Sequence, residues 1–226
     1  MVWMEDTCIK FEETTNFNQP HLQFVNSSAG CYAYLGMISQ WNGQEVNLNV
    51  DSGCVDLKES MEIDKRKIEV RFMLSQLGVI LHEVGHAIGF YHEHARSDRD
   101  EHVLIVYENI QTAATDQFDK SNDNNYSVPY DYTSTMHYGT TFFTKTSGAQ
   151  TIVTLNPLAQ VLIGNQDLLS HRDKLLANRM YSCIECIAVL DNEWHHCDKL
   201  LANRMYSCIG FIAVLDGKCK AVLARF

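Results

Sequence analysis

The sequence contains one segment whose residue types could bind a metal ion, with histidines at positions 82, 86 and 92. Side chains four residues apart lie on one face of a helix, so His82 and His86 can reach the same ion. Gly89 permits a sharp turn that brings His92 round as a third ligand. Three protein ligands leave a coordination position open, which is typical of catalytic rather than structural zinc sites.

Glu83 directly follows the first of these histidines. On a helix its carboxylate lies to the side of the metal-binding face, where it can act as general base on a zinc-bound water. The alternative is a surface helix that carries histidines by chance. The glutamate and the glycine at their required positions argue against chance, because the whole segment resembles the metzincin pattern of zinc peptidases.

This segment lies on a predicted helix, because apolar residues recur at the spacing of one helical face over Leu77–Gly89. A second helical pattern covers Asp167–Tyr181, and the polar residues 120–135 are predicted as a loop. Short apolar runs near the start predict the strands of a small sheet. These runs are Cys8–Phe11, Leu22–Val25 and Glu45–Val50.

Composition narrows the class of protein. The 226 residues are 46% hydrophobic, enough for the core of one domain. A net charge of -10 without a basic cluster argues against nucleic acid as a partner. No apolar run approaches the roughly 18 residues of a membrane span. The even number of 8 cysteines favours disulfides and hence a secreted protein, although the first residues do not form a signal peptide.

The stretch His82–Asp100 reads HEVGHAIGFYHEHARSDRD and resembles the astacin family, which has HExxHxxGFxHExxRxDRD there. Similarity extends over most of residues 1–183. The resemblance implies an α+β, metzincin-type catalytic domain of two subdomains, with a small, mainly antiparallel sheet and a zinc-binding active-site helix. It also implies a secreted endopeptidase that holds one zinc ion and hydrolyses peptide bonds of extracellular polypeptides.

Ser134–Tyr138 (STMHY) is similar to the Met-turn of astacins. The resemblance implies that Met136 lies beneath the zinc. It also implies that Tyr138 is a further zinc ligand that moves to donate a hydrogen bond to the oxyanion of the reaction. A tyrosine after a loop would otherwise be interpreted as an ordinary core residue.

The resemblance also implies the disulfide pairing. Cys31 would pair with Cys54, and Cys8 with the cysteine that ends the last helix. That cysteine is Cys183, but a duplicated segment supplies Cys208 as a second candidate, and the sequence does not decide between them.

The chain departs from the family pattern in three places. It begins at the end of the family's first helix, without the opening strand, and it carries an insertion at about 58–76. Residues 173–191 return almost unchanged as 198–216, so we expect a peptidase-like domain over 1–183 and a tail over 184–226.

These departures leave an alternative function open. The chain could be a catalytically inactive, zinc-binding module or an incomplete gene product, and the duplicated tail alone suggests a secreted binding protein. In the family, the glutamate at the position of Glu93 has the mature amino terminus as its partner. Without that partner it would be a buried carboxylate with a raised pKa. Substrate specificity and oligomeric state are left open by the sequence.

Overall fold

The computed structural model of the protein describes residues 2–27, 30–38, 40–55, 74–183, 212–215 and 218–224. Residues 58–73 of the predicted insertion and 184–211 of the predicted tail lie outside this part. The α-helices are α1 (Leu74–Ala87) and α2 (His171–Met180). The strands are β1 (Lys10–Thr14), β2 (His21–Val25), β3 (Cys31–Ala33), β4 (Gly43–Leu48), β5 (Val103–Ile105), β6 (Ile152–Thr154), β7 (Ile212–Leu215) and β8 (Lys218–Ala224). Short 3₁₀ helices cover Val2–Met4, Glu93–Ala95, Arg99–Glu101, Tyr107–Asn109, Thr112–Phe118 and Pro157–Ala159.

The larger sheet is mixed, with six strands in the order β1-β8-β2-β4-β3 and β7 paired with β8. β8 is parallel to β1 and to β2, and β2 is parallel to β4. Only β3 with β4 and β7 with β8 are antiparallel among these pairs. The α+β class is confirmed, but the expectation of a mainly antiparallel sheet is wrong. Apolar alternation indicates which face of a strand is buried and carries no information about strand direction.

The tail contributes two strands to this sheet. β8 lies between β1 and β2, with Lys220–Ala224 paired in parallel to Lys10–Thr14 and Leu223 opposite Leu22. β1 and β2 are joined in the sheet through β8. The sequence-based boundary at residue 183 therefore separates strands that pair with one another in the structure.

Helix α1 packs against the sheet and forms the main core. Its buried residues Leu81, Val84 and Ala87 face apolar side chains from β1, β2 and β4, and Trp3 is fully buried beside them. The Trp3 indole also donates a hydrogen bond to the Leu81 carbonyl at 3.2 Å. This packing fixes the helix that carries the histidine segment on one side of the sheet.

A second core lies on the far side of the histidine segment. It gathers the antiparallel pair β5–β6 and side chains from the loops that follow. Its buried members are Val103, Ile105, Ile110, Phe118, Tyr130, Tyr138, Ile152 and Ile163. The described chain thus has an upper half built on the sheet and a lower half of short 3₁₀ turns and loops.

Helix α2 begins with a capping box, in which the Ser170 hydroxyl accepts from the Asp173 backbone and the Asp173 carboxylate accepts from the Ser170 backbone. Disulfides Cys8–Cys183 and Cys31–Cys54 are present, and the first joins the end of α2 to the start of β1. The described part of the chain contains no helix with the length and apolarity needed to cross a bilayer.

Candidate active site

Three imidazoles converge at the boundary between the two halves. His82 and His86 lie one turn apart on α1, and Gly89, with a φ of 99°, ends the helix so that His92 returns towards them. The Nε2 atom of His92 is 3.2 Å from that of His82 and 3.0 Å from that of His86. The structure therefore brings together the three residues that the sequence singled out as metal ligands.

The other ring nitrogens set the state of these imidazoles. His82 Nδ1 is 2.8 Å from the Thr135 carbonyl, and His86 Nδ1 is 2.7 Å from the Phe90 carbonyl. A carbonyl only accepts, so each Nδ1 carries the proton and each Nε2 presents a lone pair to the shared point. Burial lowers the pKa of all three imidazoles, most strongly that of His92, which favours the neutral form that binds metals.

This arrangement fits a zinc ion. The Nε2 lone pairs of His82 and His86 belong to a group whose ligand atoms all lie within 4.8 Å of one another, so they repel, and a cation between them would replace the repulsion with attraction. Each of two ligands also has the carbonyl partner that commonly orients a metal-binding histidine. Neutral imidazole nitrogen is a preferred ligand of zinc.

Glu83 supplies a carboxylate to the cleft that these three histidines also line. It is 4% exposed, and its Oε2 atom has no hydrogen-bond partner among the described residues. Burial raises the pKa of Glu83 to about 8, while a hydrogen bond from the Ala33 backbone acts in the opposite direction. A buried carboxylate oxygen without a partner is costly, which is a common feature of groups that act on a substrate.

The Met-turn residues lie against this group. Met136 is 1% exposed, and its sulfur packs so tightly under α1 that a Cβ at Gly85 would lie 2.7 Å from it. Only glycine at position 85 permits this approach. The Tyr138 ring lies 4.4 Å from the His92 ring and stacks on His94 at 4.1 Å. Burial raises the pKa of Tyr138 to about 12, so its phenol stays protonated at neutral pH.

Glu93 has partners in this chain, which the sequence did not reveal. Arg96 Nη1 lies 3.2 Å from the Glu93 Oε1 atom, and the Asp131 backbone donates to the same oxygen at 2.6 Å. Burial still raises the pKa of Glu93, and Arg96 opposes that rise. The carboxylate thereby ties the segment after the third histidine to the loop before the Met-turn.

The site opens into a cleft of about 990 Å³. Its lining joins the edge strand β3 of the upper half to loops of the lower half. Half-exposed aromatic side chains at Tyr91, Phe142 and Phe143 form part of the wall. This volume lies at the upper end of the range of ligand-binding pockets, about 300–1,000 Å³.

Asp173 is a residue near the site that sequence reasoning missed. It is 3% exposed and accepts hydrogen bonds from the Ser134 hydroxyl at 2.6 Å and from the Thr135 backbone at 3.0 Å. The pattern Ser170-x-x-Asp173 signals a capping box in the sequence. Nothing local signals the second contact, because the Met-turn lies far away along the chain.

Comparison with known proteins decides the family. The family profile of the astacin peptidases matches residues 1–182. The chain belongs to the astacin family. As an astacin, it is 36% identical over 186 residues to "Astacin-like metalloendopeptidase" of Gallus gallus, a match that covers 82% of this chain and 39% of the relative.

Two further relatives of this astacin are fish proteins. "Low choriolytic enzyme" of Oryzias latipes is 46% identical over 113 residues, covering 50% of this chain and 41% of that protein. The solved structure of high choriolytic enzyme 1, a hatching enzyme zinc-protease of the same fish, matches with a TM-score of 0.63 at 34% identity. That match covers 80% of this chain and 78% of the solved chain. The chain spans about two fifths of the length of the curated relatives.

Proposed function

We propose that this chain is a zinc-dependent endopeptidase that hydrolyses peptide bonds of extracellular polypeptides. The observation that carries the proposal is the convergence of three imidazoles, with the buried carboxylate of Glu83 in the lining of the same cleft. A general base next to a three-histidine site on a helix is the arrangement of metal-assisted peptide hydrolysis. Family membership supports the same reaction class.

Zinc would be held by His82, His86 and His92, one ion per chain, with Tyr138 as a further ligand by family resemblance. When bound, zinc supplies a Lewis acid that polarises the scissile carbonyl and lowers the pKa of water. The carbonyl partners of His82 and His86 keep the ring orientations fixed.

Glu83 moves the proton of the reaction. Its Oε2 atom accepts a proton from the attacking water, and the water oxygen forms the new bond to the scissile carbon. The same oxygen then delivers that proton to the amide nitrogen as the carbon–nitrogen bond breaks, so that carboxylic acid and amine are the products. Burial raises the pKa of Glu83, so its carboxyl group holds a proton more firmly than a solvated carboxylate does until it passes that proton to the amine.

Tyr138 stabilises the negative charge that develops on the carbonyl oxygen. Burial raises the pKa of Tyr138 from the ordinary value of a phenol to about 12, which favours the protonated form further. A neutral phenol donates a hydrogen bond to an oxyanion, and such donors are effective in a site shielded from water. The stacking of its ring on His94 and its contact with His92 hold it at the edge of the cleft.

An extracellular setting follows from the disulfides, which persist in oxidising compartments. We infer that residues 1–183 form the peptidase domain. We infer also that β7 and β8 of the 184–226 tail belong to its sheet, because both pair within it.

The test is cleavage of a quenched fluorescent peptide library by the full chain with zinc. The Glu83→Gln variant should lose about 10²–10⁴-fold in turnover while it keeps its zinc, because only the proton-accepting group is removed. Glu101→Gln, at an exposed glutamate of a 3₁₀ helix, is the matched control and should cleave as the unchanged chain does.

Zinc content, measured on the same samples, separates the outcomes. Cleavage that a chelator abolishes and Glu83→Gln lacks would support the endopeptidase. A folded, zinc-loaded chain that cleaves nothing would contradict it and favour the inactive module. Full turnover by Glu83→Gln would contradict only the role of Glu83 as general base, and the zinc-dependent reaction would stand.

A further inference from the structure

We infer that Asp173 of helix α2 is a positioning residue for His82, acting through a continuous chain of hydrogen bonds that crosses the Met-turn. The inference rests on the proposed function in that it takes His82 to be a zinc ligand. It goes beyond that function because it assigns a role to a residue outside the cleft.

The first link starts at the imidazole. His82 Nδ1 lies 2.8 Å from the Thr135 carbonyl and donates to it. That carbonyl belongs to the peptide between Thr135 and Met136, and the Met136 N–H of the same peptide donates to the Ser134 hydroxyl at 3.0 Å. One peptide group thus receives a hydrogen bond from the ligand and passes one on.

The second link ends at a carboxylate. The Ser134 hydroxyl donates to Asp173 Oδ1 at 2.6 Å, while the Thr135 N–H donates to the other oxygen, Oδ2, at 3.0 Å. Every donor in the chain points in the same direction, from His82 towards Asp173. Hydrogen bonds aligned in this way polarise one another, and here a negative charge stands at the end of the line.

The chain has two consequences for the ligand. It holds the proton of His82 on Nδ1, so that Nε2 stays free to bind metal, and it fixes the plane of the ring. A carboxylate that accepts at the end of such a chain also makes Nε2 a better electron donor. Asp173 therefore acts on the metal site although it touches neither the cleft nor the imidazole.

The side chains that form the chain of hydrogen bonds are buried. Ser134 and Asp173 are 2% and 3% exposed, so water does not replace a lost partner easily. The same carboxylate oxygen that receives Thr135 also receives the Ser170 N–H at 2.9 Å. The capping box of α2 and the Met-turn thus share one carboxylate, which allows the two roles to be separated by mutation.

Three variants of the full chain separate them. Asp173→Asn removes the charge and turns an amide N–H₂ towards donors. Ser134→Ala breaks the chain of hydrogen bonds and leaves the capping box intact. Ser170→Ala is the matched control, because it removes the hydroxyl of the cap, together with its hydrogen bond to Asp131, and leaves the contacts of Asp173 with Ser134 and Thr135.

The first readout is the zinc dissociation constant, from competition with a chromophoric chelator. We expect it to rise about 10–100-fold in Asp173→Asn and in the same direction in Ser134→Ala, the range found when partners of metal-binding histidines are removed. Ser170→Ala should lower the thermal midpoint and leave the zinc dissociation constant unchanged.

The second readout is the strength of the His82 Nδ1–H hydrogen bond in the metal-free chain, from ¹⁵N and ¹H chemical shifts of the ring. The unchanged chain and Ser170→Ala should share one Nδ1–H signal, whereas this signal should shift in Asp173→Asn and Ser134→Ala, because the Thr135 carbonyl is then less polarised and accepts a weaker hydrogen bond. A residue that only stabilised α2 would not change this signal.

The outcomes are decisive in each direction. Wild-type zinc affinity in Asp173→Asn and Ser134→Ala, or an equal loss in Ser170→Ala, would overturn the inference. If Asp173→Asn does not fold, Ser134→Ala decides alone. Because both readouts omit peptide cleavage, a chain that binds zinc and cleaves nothing would contradict the proposed function without touching this inference.

Discussion

The segment that carries the metal ligands and the region that orients them are built in different ways. The ligands lie within His82–His92, on one helix and the turn after it. The support of His86 is local, since it is the Phe90 carbonyl, but the support of His82 comes from Ser134–Tyr138 and Asp173, which are distant in sequence. The comparison teaches that the ligands are encoded locally, whereas the orientation of His82 depends on tertiary structure.

Removal of one histidine tests most strongly whether the segment His82–His92 supplies the zinc ligands. His86→Ala should lose zinc and all measurable peptide cleavage, because two imidazoles remain where three converged. Zinc per chain by elemental analysis and cleavage of the peptide library are the measurements. His171→Ala changes an exposed histidine at the start of α2 and should keep both. Zinc retained at one per chain in His86→Ala would contradict the ligand assignment.

Substitution of Tyr138 tests a residue of the distant region that contacts the ligand His92. We expect a smaller loss of activity than on removal of a ligand. Tyr138→Phe should lower kcat about 10²–10³-fold, the loss found when one oxyanion donor is removed, with little change in KM. Zinc content should persist, because the three histidines remain.

The control for that variant is Tyr107→Phe, which removes a half-exposed phenol whose residue does not line the cleft. A drop of equal size in the control, or a Tyr138→Phe variant with unchanged kcat, would show that the hydroxyl of Tyr138 has no part in the reaction.

A substitution in β8, the strand that the tail adds to the sheet, is expected to have the smallest effect. Val222→Pro removes a backbone donor from β8, which has β1 on one side and strands β7 and β2 on the other. We expect the free energy of unfolding to fall by about 1–3 kcal/mol, the cost of leaving an interstrand backbone partner unsatisfied. Denaturant titration measures it, with Val222→Ile as the control. An unchanged midpoint would show that β8 does not stabilise the sheet.

Several elements can be predicted because their signals are local. Helix α1 is predicted over Leu77–Gly89 and found at Leu74–Ala87, and α2 is predicted over Asp167–Tyr181 and found at His171–Met180. Apolar periodicity reports one buried face and says little about the ends of a helix, so the ends differ by several residues. The three histidines converge because a single turn at Gly89 brings His92 back to the two histidines on α1.

Other features depend on contacts that no local pattern records. The parallel direction of β2 and β4 follows from how the chain returns between them, and apolar alternation is the same in either direction. The partners of Glu93 and the second role of Asp173 arise from segments far apart in sequence. Buried polar groups must find partners, but the sequence does not name them.

The position of β8 has a consequence for how the chain folds during synthesis. Lys10 leaves the ribosome well before the residue opposite it in the sheet, Lys220, has been made. The described sheet is therefore incomplete until β8 has emerged, because β8 is the strand that pairs with both β1 and β2. Such long-range parallel pairing closes a large loop and is slow. The nascent chain consequently exposes an open strand edge until then, and chaperones bind such edges.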